Sequence, residues 1–330
     1  MLALIASNPK TIIAGSLAGC SDLAFRLIAR EQGAEFCFLE MSDSNSLVYA
    51  SREKAKETLL PHPKDVPVAA QLLGDDPVVM LKAARRLLEI NPQVSILDIN
   101  AACPMRKVIK KFSGAYLLQT PAILCRIIDR LAAALALPIT VKLRIGYAKR
   151  DVDKIVGIAR QCEQAGAQAI FVHGRTQAQL YSGGIDYASI KAIKENVKIP
   201  VIASGNIFSP QKAKEMLELT GSDGVWVARG ALGNPWIFRQ IKTFLTSGGL
   251  LREPSFAEKM EVLKRHLSYV DKYKLLPPRS KVGIGRKVAL WYLKGFKHAA
   301  AVRAATCRIQ TMDELFLLLD RIAKMPEVLA

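Results

Sequence analysis

Eight short apolar runs recur at a spacing of roughly thirty residues, each followed by a segment of helical periodicity. They are TIIAG (11–15), FCFLEM (36–41), VPVAAQLL (66–73), SILDINA (95–101), ITVKLRI (139–145), AIFVHG (169–174), IPVIAS (199–204) and GVWVAR (224–229). Near-continuous apolar runs mark strands covered on both faces, which is the condition of a parallel sheet wrapped in helices. Between them lie amphipathic segments. In Asp151 to Gly166, Val152, Ile155, Val156, Ala159 and Cys162 share one helical face and Gly166 supplies the stop. Pro77 and Pro210 stand where first-turn prolines belong. Eight such units predict a (β/α)8 TIM barrel. An open doubly wound sheet is the alternative, but it rarely takes eight regular units in one domain.

The pattern stops at 245–255, where SGGLLREPS has linker composition. With 330 residues, half of them hydrophobic, the chain can build a barrel over 1–245 and an all-helical domain over 255–330. Net charge is +18, and such an excess favours a polyanionic partner. Lys264 to Arg308 holds twelve Lys/Arg against one acid, Asp271, with Trp291, Tyr292 and Phe296 among them. A solvated helical face with its aromatics turned inward is the ordinary reading of a charge run. A run so one-signed opposes its own folding, which favours polyanion binding. No apolar run has the length of a membrane span, and MLALIASNPK has no basic leader before its short apolar stretch. The six cysteines have no CxxC or paired spacing and the four histidines are far apart. Reduced thiols in a cytoplasmic protein without a metal are expected.

In such a barrel, chemistry collects at the C-terminal ends of the strands. Those ends carry Ser16-Leu17, Glu40-Met41, Gln71, Asn100 with Cys103, Lys142 with Arg144, His173 with Arg175, Ser204-Gly205-Asn206, and Arg229. The last two strands end in Gly205 and Ala228-Arg229-Gly230, the usual phosphate cradle of this fold. Lys142, inside an apolar strand, needs an anionic partner, and a reduced flavin edge would supply one. Gln71 can donate and accept, which suits the edge of a heteroaromatic ring.

Taken together, AGSLAGCSDLAFR (14–26), DINAACPMRKV (98–108), TVKLRIGY (140–147), VHGRT (172–176), IASGNI (202–207), ARGALGNPWIF (228–238) and RKVALWYL (286–293) resemble the tRNA-dihydrouridine synthases, in particular their bacterial B-type subgroup. The resemblance spans essentially the whole chain, and Asn-x-x-Cys-Pro followed by basic residues is its most specific part. It implies an FMN-binding barrel with a helical RNA-binding domain, reducing the 5,6 double bond of particular uridines in tRNA with NADPH. Cys103 would be the proton donor. Ser16, Leu17, Ala18, Gln71, Lys142 and His173 would contact the flavin; Ser204, Gly205, Asn206, Ala228 and Arg229 would take its phosphate side. Asn100 would face the uracil, and Arg106, Lys107, Lys110, Lys111, Arg286 and Lys287 would meet tRNA, with the protein acting as a monomer. The chain departs from the family's usual pattern in having Ser16-Leu17 for Pro-Met and alanine for glycine at 102 and 228.

A basic cluster beside a cysteine favours thiolate, which cannot donate a proton. The cations after Cys103 are therefore expected to point toward RNA phosphates. Two alternatives stay open: a small-molecule flavin oxidoreductase on the same barrel, which would not need the basic helical segment, and a non-catalytic RNA-binding homologue.

Overall fold

The computed structural model describes residues 10–295 and 299–324. Phe296 and Lys297 of the basic segment lie outside the described residues, as do the ends of the two expected domains, 1–9 and 325–330. The strands are β1 (Thr11–Ala14), β2 (Phe36–Phe38), β3 (Ser42–Asp43), β4 (Val68–Leu73), β5 (Val94–Ala101), β6 (Ile139–Arg144), β7 (Ile170–His173), β8 (Val201–Ser204) and β9 (Gly224–Val227). All pairings are parallel. β4 through β9 pair in chain order, β9 pairs with β1, β1 with β2 and β2 with β4, so the sheet closes. The chain is a (β/α)8 barrel, as the eight-unit spacing predicts.

The second strand differs from its predicted form. FCFLEM is not one strand: β2 ends at Phe38, and the ladder resumes only at β3. Cys37 pairs with Val68 and Ser42 with Leu72, so five residues on one side are matched by four on the other, a bulge. The extra residue frees Glu40 from the ladder. Its carboxylate accepts the Gly19 N–H at 2.5 Å and faces the Lys274 ammonium at 3.6 Å. Three other strands start directly after a proline, at Val68, Ile139 and Val201, because Pro67, Pro138 and Pro200 have no N–H to give the ladder.

Ile13, Phe36, Phe38, Ala69, Ile96, Phe171, Ile202 and Trp226 fill the barrel interior. Phe38, Phe171 and Trp226 pack ring on ring, with centroids 4.4–5.5 Å apart. Gly15 is required there: a Cβ on it would lie 1.8 Å from Trp226 Nε1. The helices of the barrel are α1 (Leu23–Glu31), α2 (Ser44–Tyr49), α3 (Arg52–Leu59), α4 (Pro77–Ile90), α5 (Arg106–Ile109), α6 (Pro121–Ala134), α7 (Val152–Gln164), α8 (Tyr187–Asn196), α9 (Pro210–Thr220) and α10 (Ile237–Ser247), and all but α5, whose Val108 packs with Leu73 and Cys103, join the core outside the strands. Pro77 and Pro210 do open helices, behind the caps Asp76 and Ser209.

After α10 come α11 (Phe256–Tyr273), α12 (Pro278–Tyr292), α13 (Ala299–Arg308) and α14 (Met312–Ala323), with a Ser255/Glu258 capping box starting the first. They enclose a second apolar cluster, Leu263, Leu267, Val288, Leu315 and Leu319 among its members, which takes in Ala24 and Ile28 of α1. Tyr292 is buried and hydrogen-bonds His266 at 3.1 Å, so one aromatic of the basic segment is core. The segment's cations draw acids from elsewhere in the chain: Lys264 pairs with Asp320, Arg265 with Glu31, and Lys274 with Asp22 and Glu40.

Candidate active site

The strand ends surround a cavity of about 420 Å³ at the barrel mouth. Ser16, Leu17, Ala18, Gln71, Lys142, His173, Ser204, Gly205, Asn206, Ala228 and Arg229 all line it, with Asn100, Cys103 and Lys107. Arg106, Lys110 and Lys111 are exposed and outside it. Arg286 and Lys287 lie away from it on α12, beside a separate groove shared with Trp291, Lys294 and Arg303. Lys287 Nζ donates to the Gly19 carbonyl and Arg286 to that of Cys307.

Cys103 follows β5 on a turn that Asn100 organises. Asn100 Oδ1 accepts the N–H groups of Ala102 (3.1 Å) and Cys103 (2.8 Å), the local bonding that Asn makes wherever a chain must turn. Asn100 Nδ2 donates to Gln71 Oε1 at 2.7 Å, and Gln71 Nε2 to Asp98 at 2.7 Å. Both amides therefore line the cavity while bound to each other. Arg144, two per cent exposed, ties the same turn from the other side: its Nε donates to Ala102 O at 2.8 Å and its Nη1 to Thr176 O and Leu180 O. Arg175 folds the loop after β7 by donating to Ser182 O and Gly183 O. Sequence position marks Arg144 and Arg175 as strand-end cations. The commitment of Arg144 to backbone carbonyls 32 to 42 residues away has no local signal.

Burial is the dominant force on the site's titrations. It pushes the Cys103 thiol up, while the Met105 N–H, Arg144 and Lys107 pull weakly the other way. The basic loop thus leaves the cysteine a thiol, because its side chains reach solvent. Burial, reinforced by Lys142 and three arginines, takes His173 down to about 2, so its imidazole is neutral. Burial also brings Lys142 down to about 7, with Arg144 adding to it and Asp98 opposing. Asp98 is raised to about 7 by burial, against hydrogen bonds from Gln71 and Thr140. Lys142 Nζ donates to Ser204 Oγ at 2.8 Å and lies 5.4 Å from the centre of the Trp226 ring. Among the described residues no carboxylate lies within 4 Å of it. Ser16 Oγ is buried with no hydrogen-bond partner. At the other end of the cavity Arg229 is exposed, stacked over Tyr181 at 4.6 Å and near Asn206 Oδ1 at 3.4 Å.

The sequence profile of the dihydrouridine synthases matches residues 12–326. Curated relatives include tRNA-dihydrouridine synthase B of Pseudomonas aeruginosa, 38% identical over 305 residues, covering 92% of this chain and 90% of that protein. The Escherichia coli protein of the same name is 38% identical over 285 residues, 86% of each chain. Among solved structures, an old yellow enzyme homologue from Zymomonas mobilis superposes with a TM-score of 0.51 at 13% identity, over 74% of this chain and 90% of its own. At that identity the likeness is one of fold. The sequence matches run through barrel and terminal helices alike, and with them the chain belongs to the dihydrouridine synthase family.

Proposed function

We propose that this protein reduces the 5,6 double bond of specific uridines in cytoplasmic tRNA to 5,6-dihydrouridine, using FMN bound in the barrel mouth, NADPH as reductant and Cys103 as the acid. The observation that carries this reading is a buried thiol, kept protonated, at the wall of a cavity whose other polar groups lack an anion.

The cavity fits a flavin. A buried ammonium whose hydrogen-bond partner is a hydroxyl, and a buried Ser16 hydroxyl with none, are the groups that a polar, electron-rich ring edge would satisfy. Ser16, Leu17, Ala18, Gln71, Lys142 and His173 would hold the ring. Ser204, Gly205, Asn206, Ala228 and Arg229 would hold the phosphate. A flavin held there would, when reduced, be the source of the hydride that C6 of the uracil receives. Cys103 holds the proton for C5, and its raised pKa keeps that proton on sulfur at neutral pH. Neutral His173 can donate one N–H without adding charge beside Lys142. Asn100 keeps the Cys103 turn fixed on the uracil side. Lys107 stands at the rim, and with Arg106, Lys110 and Lys111 it faces RNA phosphates. The basic helices from 255 onward, Arg286 and Lys287 included, form the rest of the tRNA surface, tracking backbone phosphates rather than reading bases.

The test is direct. Purified protein should carry a flavin spectrum and, with NADPH, convert uridine to dihydrouridine in tRNA from cells lacking the enzyme. Equal turnover of free uridine or a small pyrimidine would favour the small-molecule alternative.

A further inference from the structure

Asp98 is fully buried on β5 and does not line the cavity. Gln71, Asp98 and Thr140 are direct neighbours across β4, β5 and β6, and Asn100 lies two residues further on the same face of β5. Their side chains form one hydrogen-bonded row. Asp98 Oδ1 accepts from Thr140 Oγ1 at 2.7 Å, and Oδ2 from Gln71 Nε2 at 2.7 Å. Gln71 Oε1 accepts from Asn100 Nδ2 at 2.7 Å, and Asn100 Oδ1 accepts from Cys103 N at 2.8 Å.

The row has a direction. Thr140 Oγ1 and Gln71 Nε2 each donate to one Asp98 oxygen, so the carboxyl group takes the nitrogen end of the Gln71 amide. Each amide has one donor end and one acceptor end, so the choice passes to Asn100 and leaves its oxygen for the Cys103 turn. If Gln71 turned over, Asn100 would follow and present its NH2 to the N–H of Cys103, donor against donor. Arg144 fixes the turn's carbonyl at Ala102 but cannot correct that clash.

We propose that Asp98 is a positioning residue for the reaction: from outside the cavity it sets the orientation of the Gln71 and Asn100 amides and thereby the place of the Cys103 turn. This deepens, and rests on, the reading of Cys103 as the acid. Three rigid strands carry the row, so its effect on the turn is one of geometry. A displacement of about 1 Å at a reacting group can cost about a hundredfold in rate.

The experiment compares D98L, D98N and D98N/T140V as full-length proteins with saturating FMN. Dihydrouridine formation is followed in single turnovers, and deuterium uptake of the peptide spanning 100–105 by mass spectrometry. D98L should lose about a hundredfold in rate and exchange the 102–103 amides faster, with tRNA affinity kept within about threefold. D98N should recover most of the loss, since the Thr140 hydroxyl can turn to accept from the new amide. D98N/T140V, deprived of that acceptor, should lose about tenfold or more again. Wild-type exchange and rate in D98L would overturn the proposal. Should D98L fail to fold, equal behaviour of D98N and D98N/T140V would overturn it. C103A separates the two readings: if it reduces tRNA normally, the acid assignment fails. Faster exchange in D98L would still show that Asp98 holds the turn, whereas unchanged exchange would sink the positioning role whatever C103A does.

Discussion

The backbone N–H of Cys103 is held by Asn100 Oδ1 at 2.8 Å, so the residue at the end of β5 and the thiol beyond it move as one piece. The same amide binds Gln71 on the neighbouring strand. A cysteine placed this way is fixed relative to the barrel rather than to its loop. Replacing Asn100 by Ala leaves two N–H groups and the Gln71 oxygen unpaired. It should destabilise the protein by about 1–3 kcal/mol in urea unfolding and slow turnover more than it weakens tRNA binding. An N100A variant as stable and as active as wild type would show that the turn is held by Arg144 alone.

The buried thiol gives a pH prediction with a definite sign. The acid must be protonated to act, and burial raises its pKa above the ordinary thiol value of about 8.5. Single-turnover reduction of tRNA should therefore hold level through neutral pH and fall only on the alkaline side, later than an exposed thiol would. Alkylation of Cys103 by iodoacetamide should rise over the same alkaline range. A fall in rate centred near neutrality would mean that the basic loop does reach the sulfur.

Lys142 illustrates a site held at the expense of stability. Burial takes its pKa down to about 7, so the folded barrel resists its charge in the absence of an anion. Lys142→Met should make flavin-free protein more resistant to denaturant and yet bind FMN at least tenfold more weakly. Arg229→Ala, removing an exposed cation, should weaken FMN binding without changing stability. Full flavin occupancy in both variants would reject the assignment.

How much of this could be read from the chain is a matter of range. Strand-end chemistry was legible because a residue's place at the end of an apolar run is local information; hence Cys103, Lys142 and His173 all fall on the predicted rim. The break in the second strand was not. FCFLEM is apolar enough to continue, and what removes Glu40 from the ladder is Gly19 on one side and Lys274, more than two hundred residues away, on the other. Asp98 reads as an ordinary interruption of a strand until Gln71 and Thr140 are placed beside it by the barrel's register. Nor does a count of cations show which are already paired.

That pairing separates two kinds of lysine in the terminal helices. Lys274 lies between Asp22 at 3.3 Å and Glu40 at 3.6 Å, and so ties the helices to the loop that carries Ser16, Leu17 and Ala18. Lys274→Met should lower FMN affinity by about tenfold although Lys274 lines no part of the cavity, because two carboxylates lose their shared counter-ion. It should leave the salt dependence of tRNA binding unchanged.

Arg286 and Lys287 spend their hydrogen bonds on backbone carbonyls, and in the proposed reading their charge serves RNA. The log–log slope of tRNA affinity against salt should be several units for the full protein. Each single removal at these positions should lower it by about one or less. A flat salt dependence would remove the phosphate-tracking role of these helices.

The most direct measurement concerns Cys103→Ala. Nothing in the FMN cradle proposed here depends on its sulfur, so the variant should bind FMN fully and be reduced by NADPH at the wild-type rate. With the proton for C5 missing, dihydrouridine formation in tRNA should fall by about 10²–10⁴-fold. Conversion of uridine at the wild-type rate by this flavin-loaded variant would contradict the account.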